Sequence, residues 1–230
     1  MKSISSFFIS IVSNISNYWN DKIEDTFNIK VSSKEPDYEV ESVVSRQIYL
    51  TLLKMTSPIV KDCGVHNFFL KNMGPSKSFY PNHGYFLSGT GTITFNVNIF
   101  TDPDQPEDFI DPHGFFVSRA VQTVFHEMAH AFDENKGDLS GKPEWMKLSG
   151  WSKEPKPGLK RLIIKDPGTP PVVGEMYFDP KAGFPRFYAK RNNYDDFADC
   201  FSFYLAGLQD KLPLNKQEYF KKLFSIYKKQ

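Results

Sequence analysis

Two histidines four residues apart, with a glutamate directly after the first, constrain this chain more than any other feature. His126, Glu127 and His130 lie within residues 118–133, where apolar residues recur every three or four positions, as in a buried amphipathic helix. Positions i and i+4 share one helical face, so both imidazoles can reach one metal ion. Glu127 points about 100° away from His126, towards a water on the metal rather than the metal itself. The segment therefore predicts a helix that carries part of a metal site.

The alternative is a pair of core histidines satisfied by ordinary hydrogen bonds. An unpaired imidazole among apolar neighbours would be costly, and that interpretation gives no reason for Glu127 at the water-activating offset. We therefore favour a metal, and the pattern indicates Zn²⁺. Zinc acidifies a bound water, and a glutamate in this place can take the proton.

A catalytic zinc site needs a third protein ligand, and an acidic segment downstream supplies candidates. Asp195 and Asp199 are four residues apart in a segment with a helical apolar pattern. Two carboxylates on one helical face would repel each other unless a positive group lay between them. We predict that Asp195 binds zinc and that Asp199 accepts the second ring N–H of a ligating histidine. Asp196 is interpreted as part of a solvated acidic first turn, which suits the helix dipole.

Together the two segments resemble the catalytic domain of anthrax lethal factor and the bacterial Pro-Pro endopeptidases, which are gluzincin-like proteases. Their second motif resembles a tyrosine, six residues, and then Glu-x-Phe-Ala-Glu. Here Tyr188 lies seven residues before Asp195, and Phe197-Ala198-Asp199 completes the match. The resemblance covers roughly residues 90–210. It implies that Asp195 is the third ligand, that Asp199 supports a ligand, and that Tyr188 stabilises the oxyanion of the tetrahedral intermediate.

One departure from that family leaves alternatives open. Both motif glutamates are aspartates here, so the helix that carries them must approach the zinc about 1 Å closer. Asp133, three residues after His130 and on the same face, is a rival ligand, although we place it beside the site or at the helix end. Asp196 is a second rival. Tyr188 could simply pack among aromatic residues, but its offset from Asp195 favours catalysis.

Composition fits one compact enzyme domain. A chain of 230 residues can bury a sizeable core as a single domain. With 28 basic and 27 acidic residues, the total charge does not suggest a nucleic-acid partner. The chain has no apolar run of 18 residues, so we expect no transmembrane segment. We expect a monomer, although the sequence does not determine the oligomeric state.

The sequence between the two site segments is predicted to be irregular, and the N-terminus is predicted to be an extension of the domain. Residues 137–183 hold many prolines and glycines and are predicted to form a long loop or lid. Trp145 and Trp151 within it are expected to anchor it to the body of the domain. Residues 1–36 are predicted to be an N-terminal helical extension.

Periodicity predicts the remaining elements. The strand at 91–100 alternates apolar and polar residues, and the resemblance implies that it forms the sheet edge that pairs with an extended peptide. The predicted helices are at 38–56, 115–134, 194–209 and 215–229, and weaker strand candidates are at 59–62 and 66–70.

The N-terminus gives little information about localisation. Its apolar run is short, is broken by serines, and lacks the small-residue cleavage site of a secretory signal. An amphipathic helix is the preferred interpretation. Secretion or delivery into a host cell is implied only by the toxin-like resemblance, and the localisation stays unknown.

The sequence as a whole indicates an α+β, mainly helical zincin-like metalloprotease fold, with a small mixed β-sheet and an active-site helix. The expected function is zinc-dependent cleavage of a protein or peptide substrate. Zn²⁺ is held by His126, His130 and Asp195, Glu127 is the general base, and Tyr188 donates to the oxyanion. The alternative is a zincin-like binding module, associated with a phage or toxin, that keeps the metal for structure and cleaves nothing.

Overall fold

The computed structural model describes residues 18–33, 38–74, 83–101, 109–110, 116–117, 119–165 and 173–229. Within these ranges the fold is α+β, as the sequence predicts. The helices are α1 (residues 18–27), α2 (Tyr38–Leu52), α3 (Ser57–Asp62), α4 (Asn98–Thr101), α5 (Arg119–Asn135), α6 (Pro143–Ser149), α7 (Asn193–Leu205) and α8 (Leu214–Phe224). The strands are β1 (Lys30–Ser33), β2 (Asn67–Lys71), β3 (Gly84–Leu87), β4 (Thr92–Asn96), β5 (Phe109–Ile110), β6 (Phe116–Val117), β7 (Trp151–Ser152), β8 (Lys160–Lys165) and β9 (Val173–Phe178).

The main sheet has four strands in the order β1-β2-β4-β3. Strands β1, β2 and β4 are parallel, whereas β3 runs antiparallel to β4. The predicted strand at 91–100 is β4, but the expectation that it forms the sheet edge is wrong. It lies between β2 and β3, and Ile93, Thr94, Phe95 and Asn96 are buried, because both faces and both edges of this strand are covered. The edge strand on this side of the sheet is β3, and β1 forms the opposite edge.

A glycine brings β3 close to helix α5. A Cβ on Gly84 would lie 2.9 Å from the Thr94 carbonyl oxygen and 3.3 Å from Thr123 Cγ2 on α5, which leaves no room for a side chain. The turn after β3 is also attached to α5, because Ser88 Oγ and Gly89 N–H donate to the Glu134 carboxylate, the latter at 2.8 Å. Strand β3 and helix α5 therefore form the two walls of one cleft.

Helix α5 follows the predicted amphipathic pattern and packs against α7 and α8. Val124, Phe125, Met128 and Phe132 are fully buried, and the Phe132 ring lies 5.4 Å from Phe201 on α7. Burying each such side chain contributes about 1.5–3 kcal/mol, so this contact fixes α7 against α5. The helix begins at Arg119 rather than at 115, because residues 116–117 pair with residues 109–110 as a short β-ribbon.

The prediction of a long loop at 137–183 is wrong for the described part of that segment. It holds a 3₁₀ turn (Leu139–Gly141), helix α6 and an antiparallel sheet in the order β7-β9-β8. Pro143 is in the first turn of α6, where a missing N–H costs nothing, so proline here starts a helix instead of breaking one. Trp145 and Trp151 are buried, as expected of anchors. Residues 166–172 lie outside the described ranges.

Two further predictions need correction. Within the predicted N-terminal extension at 1–36, the described residues 18–27 are helical, whereas residues 30–33 form β1, which pairs with β2 in the main sheet. Residues 59–62 belong to helix α3 rather than to a strand, and Pro58 lies in its first turn. The apolar run at residues 1–13 lies outside the described residues. Among the described helices, none is both long and apolar enough to cross a bilayer.

Candidate metal centre

Three ligand atoms from two distant segments meet between α5 and α7. His126 Nε2 and His130 Nε2 are 3.1 Å apart, and Asp195 Oδ1 lies 3.6 Å from the first and 3.5 Å from the second. Two nitrogen lone pairs at that separation repel unless a proton or a cation lies between them. Among the described residues, this is the group of histidine, cysteine and acidic side chains whose geometry could hold a metal ion.

The dimensions of this triangle fit a tetrahedral zinc ion. Zn–N and Zn–O bonds of about 2.0–2.1 Å at tetrahedral angles place the ligand atoms about 3.3–3.4 Å apart. The observed separations of 3.1, 3.5 and 3.6 Å scatter around that value. Two imidazoles and one carboxylate also form a donor set typical of catalytic zinc, which leaves one position for water or substrate. Asp195 has a shorter side chain than the glutamate of the family motif. It still reaches both histidines because α7 packs closely on α5.

Asp195 is aimed at the histidines by the start of its own helix. Asn192 is the N-cap of α7, and its side chain accepts a hydrogen bond from Asp195 N–H at 2.7 Å. The same side chain donates from Nδ2 to Asp195 Oδ2 at 2.9 Å, so the other oxygen, Oδ1, faces the histidines. Burial raises the pKa of Asp195, but hydrogen bonds from His126 and His130 outweigh it and hold the pKa well below its usual range.

The second ring nitrogen of His126 contacts Asp199, one turn further along α7. His126 Nδ1 lies 2.8 Å from Asp199 Oδ1, and the carboxylate is fully buried. In the neutral imidazole that a metal requires, we assign the proton to Nδ1, which leaves the Nε2 lone pair directed at the ligand cluster. Burial lowers the pKa of His126, but hydrogen bonds to Asp195 and Asp199 raise it to about 9 in the metal-free protein.

Arg186 is a further site residue, and no motif in the sequence predicts it. Its Nε and Nη2 donate to Asp199 Oδ2 and Oδ1 at 2.7 and 2.5 Å, and Gln122 Nε2 adds a bond to Oδ1 at 3.2 Å. Burial raises the pKa of Asp199, but the Arg186 charge and the His126 hydrogen bond lower it by more, so the pKa of Asp199 lies below its usual value. Arg186 stands outside both helices and follows no helical spacing; its only sequence signal is its place two residues before Tyr188.

Glu127 faces the cleft between α5 and β3. The cleft has a volume of about 620 Å³, and its lining includes both histidines, Glu127 and the edge strand. Glu127 Oε2 accepts a hydrogen bond from Phe86 N–H of β3 at 2.9 Å. That N–H points away from β4, because residues in an antiparallel strand pair direct their backbone groups alternately to the partner and to the free edge. The carboxylate therefore lies between the candidate ligands and the sheet edge.

Tyr188 lies beside the ligands, in a 3₁₀ turn (Tyr188–Lys190) just before α7. Its ring is 5.5 Å from the His126 ring in an edge-to-face arrangement. The guanidinium groups of Arg186 and Arg191 lie 5.0 and 4.6 Å from its centroid, and Arg191 Nη1 donates to the phenol oxygen. Burial, and then the Asp195 charge, raise the pKa of Tyr188. The phenol therefore keeps its proton and can act as a donor.

Asp133, the first rival ligand, has a different environment. Its Oδ1 accepts from Ser140 N–H at 2.7 Å and its Oδ2 from Ser140 Oγ at 2.5 Å. It lines the cleft but lies outside the group of potential metal ligands. Asn193 Nδ2 donates to the Ser140 carbonyl at 2.9 Å, so Asp133 joins the end of α5 through this turn to the start of α7.

Asp196 is not solvated, so that prediction is wrong. It is fully buried, and it accepts from Lys216 Nζ on α8 at 2.7 and 2.9 Å and from Trp151 Nε1 at 3.2 Å. Lys216 is also fully buried. Burial raises the pKa of Asp196 to about 6, and Lys216 offsets that rise only in part. Asp196 therefore points away from the histidines, towards the side of α7 that packs on α8.

No family model matches this chain, and neither a curated protein nor a solved structure matches it at a significant level. The description of the site therefore depends on the residues and their geometry.

Proposed function

We propose that this chain is a zinc-dependent endopeptidase of the zincin type, similar in its motifs to the lethal factor and Pro-Pro endopeptidase catalytic domains. One observation carries the proposal. His126, His130 and Asp195, from segments more than sixty residues apart in sequence, direct their ligand atoms to one point, and Glu127 faces the same cleft. The supporting contact between Asp199 and His126 is the kind that fixes a ligating imidazole in one tautomer.

The protein groups in the cleft can divide the work of peptide hydrolysis. Zn²⁺ bound to the three ligands would supply Lewis-acid chemistry, polarising a carbonyl and lowering the pKa of water. Glu127 then accepts a proton from the attacking water on its carboxylate and passes it to the leaving amine nitrogen. Tyr188 is protonated and donates its phenolic hydrogen towards the developing oxyanion, an effect typically of about 3–4 kcal/mol.

The shape of the cleft supports an extended peptide as the substrate. The backbone groups of Gly84 and the carbonyl of Phe86 point away from β4 on the cleft side of the sheet, beside the Phe86 N–H that donates to Glu127, so a peptide could add there as a further strand. At about 620 Å³ the cleft has the volume of a typical ligand site.

The proposal is tested by replacing the general base. Glu127→Gln keeps the size of the side chain but removes the proton acceptor, so we expect zinc content near that of the wild type and a fall in kcat of about 10²–10⁴-fold. Zinc is quantified by atomic absorption, and cleavage is mapped on a proteome-derived peptide library. The matched control is Glu218→Gln on the exposed surface of α8, which should change neither.

Two outcomes would count against the proposal. Normal cleavage by Glu127→Gln would refute the mechanism. A wild-type chain that binds zinc stoichiometrically but cleaves no peptide or protein would support the alternative, a binding module in which the metal is structural.

A further inference from the structure

The guanidinium of Arg186 contacts two groups of the site. One is Asp199, the carboxylate that holds the candidate ligand His126, and the other is Tyr188, the candidate oxyanion donor. Arg186 forms a bidentate ion pair with Asp199, and its guanidinium lies 5.0 Å from the Tyr188 ring centroid. Asp199 in turn contacts His126, and the Tyr188 ring packs edge-to-face on the His126 ring. We propose that Arg186 is a positioning residue that holds His126 for zinc through Asp199. The inference deepens the proposed function and depends on its metal site.

The geometry of the pair explains why an arginine is needed. The planar fork of Arg186 contacts both oxygens of Asp199 at once and so fixes the plane of that carboxylate. Once this plane is fixed, Oδ1 points at His126 Nδ1, 2.8 Å away. A lysine would offer a point charge without a preferred plane, and Asp199 could then rotate.

Because Asp199 is buried, it depends on its ion pair with Arg186. Asp199 is fully buried, and a buried carboxylate without a cationic partner is strongly unfavourable. The Arg186 side chain is 20% exposed, so it brings a charge to Asp199 from the rim of the site without itself being fully desolvated. Without Arg186, the Asp199 carboxylate would be free to rotate, and His126 would lose the acceptor that selects its tautomer.

The contact with Tyr188 gives Arg186 a second effect. The guanidinium groups of Arg186 and Arg191 lie 5.0 and 4.6 Å from the Tyr188 ring centroid, and the ring packs against the His126 ring. Loss of Arg186 would remove one of these neighbours. We therefore expect kcat to fall while KM, which depends on the peptide cleft along β3, changes little.

The test measures metal affinity as well as activity. Zn²⁺ dissociation constants are obtained by competition with a chromophoric chelator for the wild type, Arg186→Gln, Arg186→Lys, Asp199→Asn and the double variant Arg186→Gln/Asp199→Asn. We expect Arg186→Gln to raise the dissociation constant about 10–100-fold, and Arg186→Lys to fall in between. The visible spectrum of the Co²⁺-substituted protein should change in Arg186→Gln. The control, Arg161→Gln, breaks an exposed pair with Glu175 and should change nothing.

The double variant decides whether Arg186 acts through Asp199. If it does, the double variant binds Zn²⁺ about as tightly as Asp199→Asn alone, so the two effects do not add. Unchanged affinity in Arg186→Gln, or in Arg186→Lys should the glutamine variant not fold, would overturn the inference, as would fully additive effects. If the wild type binds Zn²⁺ but cleaves nothing, the proposed activity fails while the dissociation constants still decide the role of Arg186. If it binds no Zn²⁺, both fail.

Discussion

Four aspartates near the candidate site have the same chemistry but different partners. Asp195 faces two imidazoles, Asp199 faces His126 and a guanidinium, Asp133 receives two hydrogen bonds from one serine, and Asp196 pairs with a buried lysine. A carboxylate takes the role that its donors allow, because desolvating it without partners is costly. At the scale of the residue, the donors that surround each aspartate therefore separate a ligand from a structural group.

Asp195→Ala and Asp133→Ala should separate these roles. Asp195→Ala removes one of three ligands, so we expect a large loss of Zn²⁺ affinity. Asp133→Ala leaves Ser140 N–H without its acceptor in a buried turn and leaves Ser140 Oγ only its longer bond to Asp138 at 3.5 Å, so we expect a loss of about 1–3 kcal/mol in the free energy of unfolding with zinc stoichiometry retained. Zinc quantitation and urea unfolding of the metal-free proteins check both. The reverse pattern would make Asp133 the ligand.

At the scale of the element, the start of α7 sets the geometry of the third ligand. Asn192 and Asp195 occupy the N-cap and N3 positions and are joined by two hydrogen bonds. The bond from Asp195 N–H is that of a capping box, whereas the second comes from the Asn192 side-chain amide rather than from its backbone N–H. The first turn therefore fixes the side chain of Asp195 before any metal binds. Because aspartate has one χ angle fewer than glutamate, this fixation leaves it little freedom.

Asn192→Ala should weaken both the helix and the site. Loss of the cap costs about 1 kcal/mol of stability, and loss of the donor to Asp195 Oδ2 should lower Zn²⁺ affinity. Asn192→Ser restores an acceptor for Asp195 N–H but not the amide donor, so it should recover stability more than affinity. Urea unfolding in the presence of EDTA and chelator competition measure the two separately. Equal recovery of both quantities by serine would argue against a role for the amide.

At the scale of the whole molecule, a buried ion pair joins the ligand helix to the C-terminal helix. Asp196 and Lys216 are both fully buried, and Lys216 donates to the Asp196 carboxylate. Trp151 of β7 donates to the same carboxylate. The Lys216 ammonium also lies 4.8 Å from the Phe184 ring. Desolvation makes such a pair a weak source of net stability. Its directional bonds instead specify how α7, α8 and the sheet of β7, β8 and β9 dock together.

Lys216→Met should destabilise the fold by about 3–5 kcal/mol at neutral pH, because it leaves Asp196 charged and buried without a cation. Asp196 has a folded pKa raised above its unfolded value of about 3.9. Its ionisation therefore lowers stability as the pH rises through the folded pKa, so the deficit of the variant should shrink towards pH 4. The double variant Lys216→Met/Asp196→Leu should recover most of the loss. Urea unfolding between pH 4 and 8 measures both, and a pH-independent deficit would contradict this account.

The spacing of apolar and polar residues along the sequence was enough to predict the two helices that carry the candidate site. The apolar period around His126 predicted α5, and the period after Asp195 predicted α7. The i, i+4 spacing placed His126 with His130 on one face of α5 and Asp195 with Asp199 on one face of α7, whereas the expectation that the two faces meet came from the need for a third ligand and from the motif resemblance. These predictions succeed because helical periodicity and i, i+4 geometry depend only on neighbours in the chain.

Other features were decided only by the tertiary structure. Proline and glycine content made 137–183 look irregular, although Pro143 begins a helix there. Asp196 looked like a solvated first-turn acid, because Lys216 lies twenty residues away and meets it only when α8 packs on α7. The ion pair between Arg186 and Asp199 likewise joins segments that no common apolar period relates. The same is true of the strand order that puts β3 at an edge. The physical reason is that burial, strand order and ion pairing are set by packing between elements, which periodicity within one element does not encode.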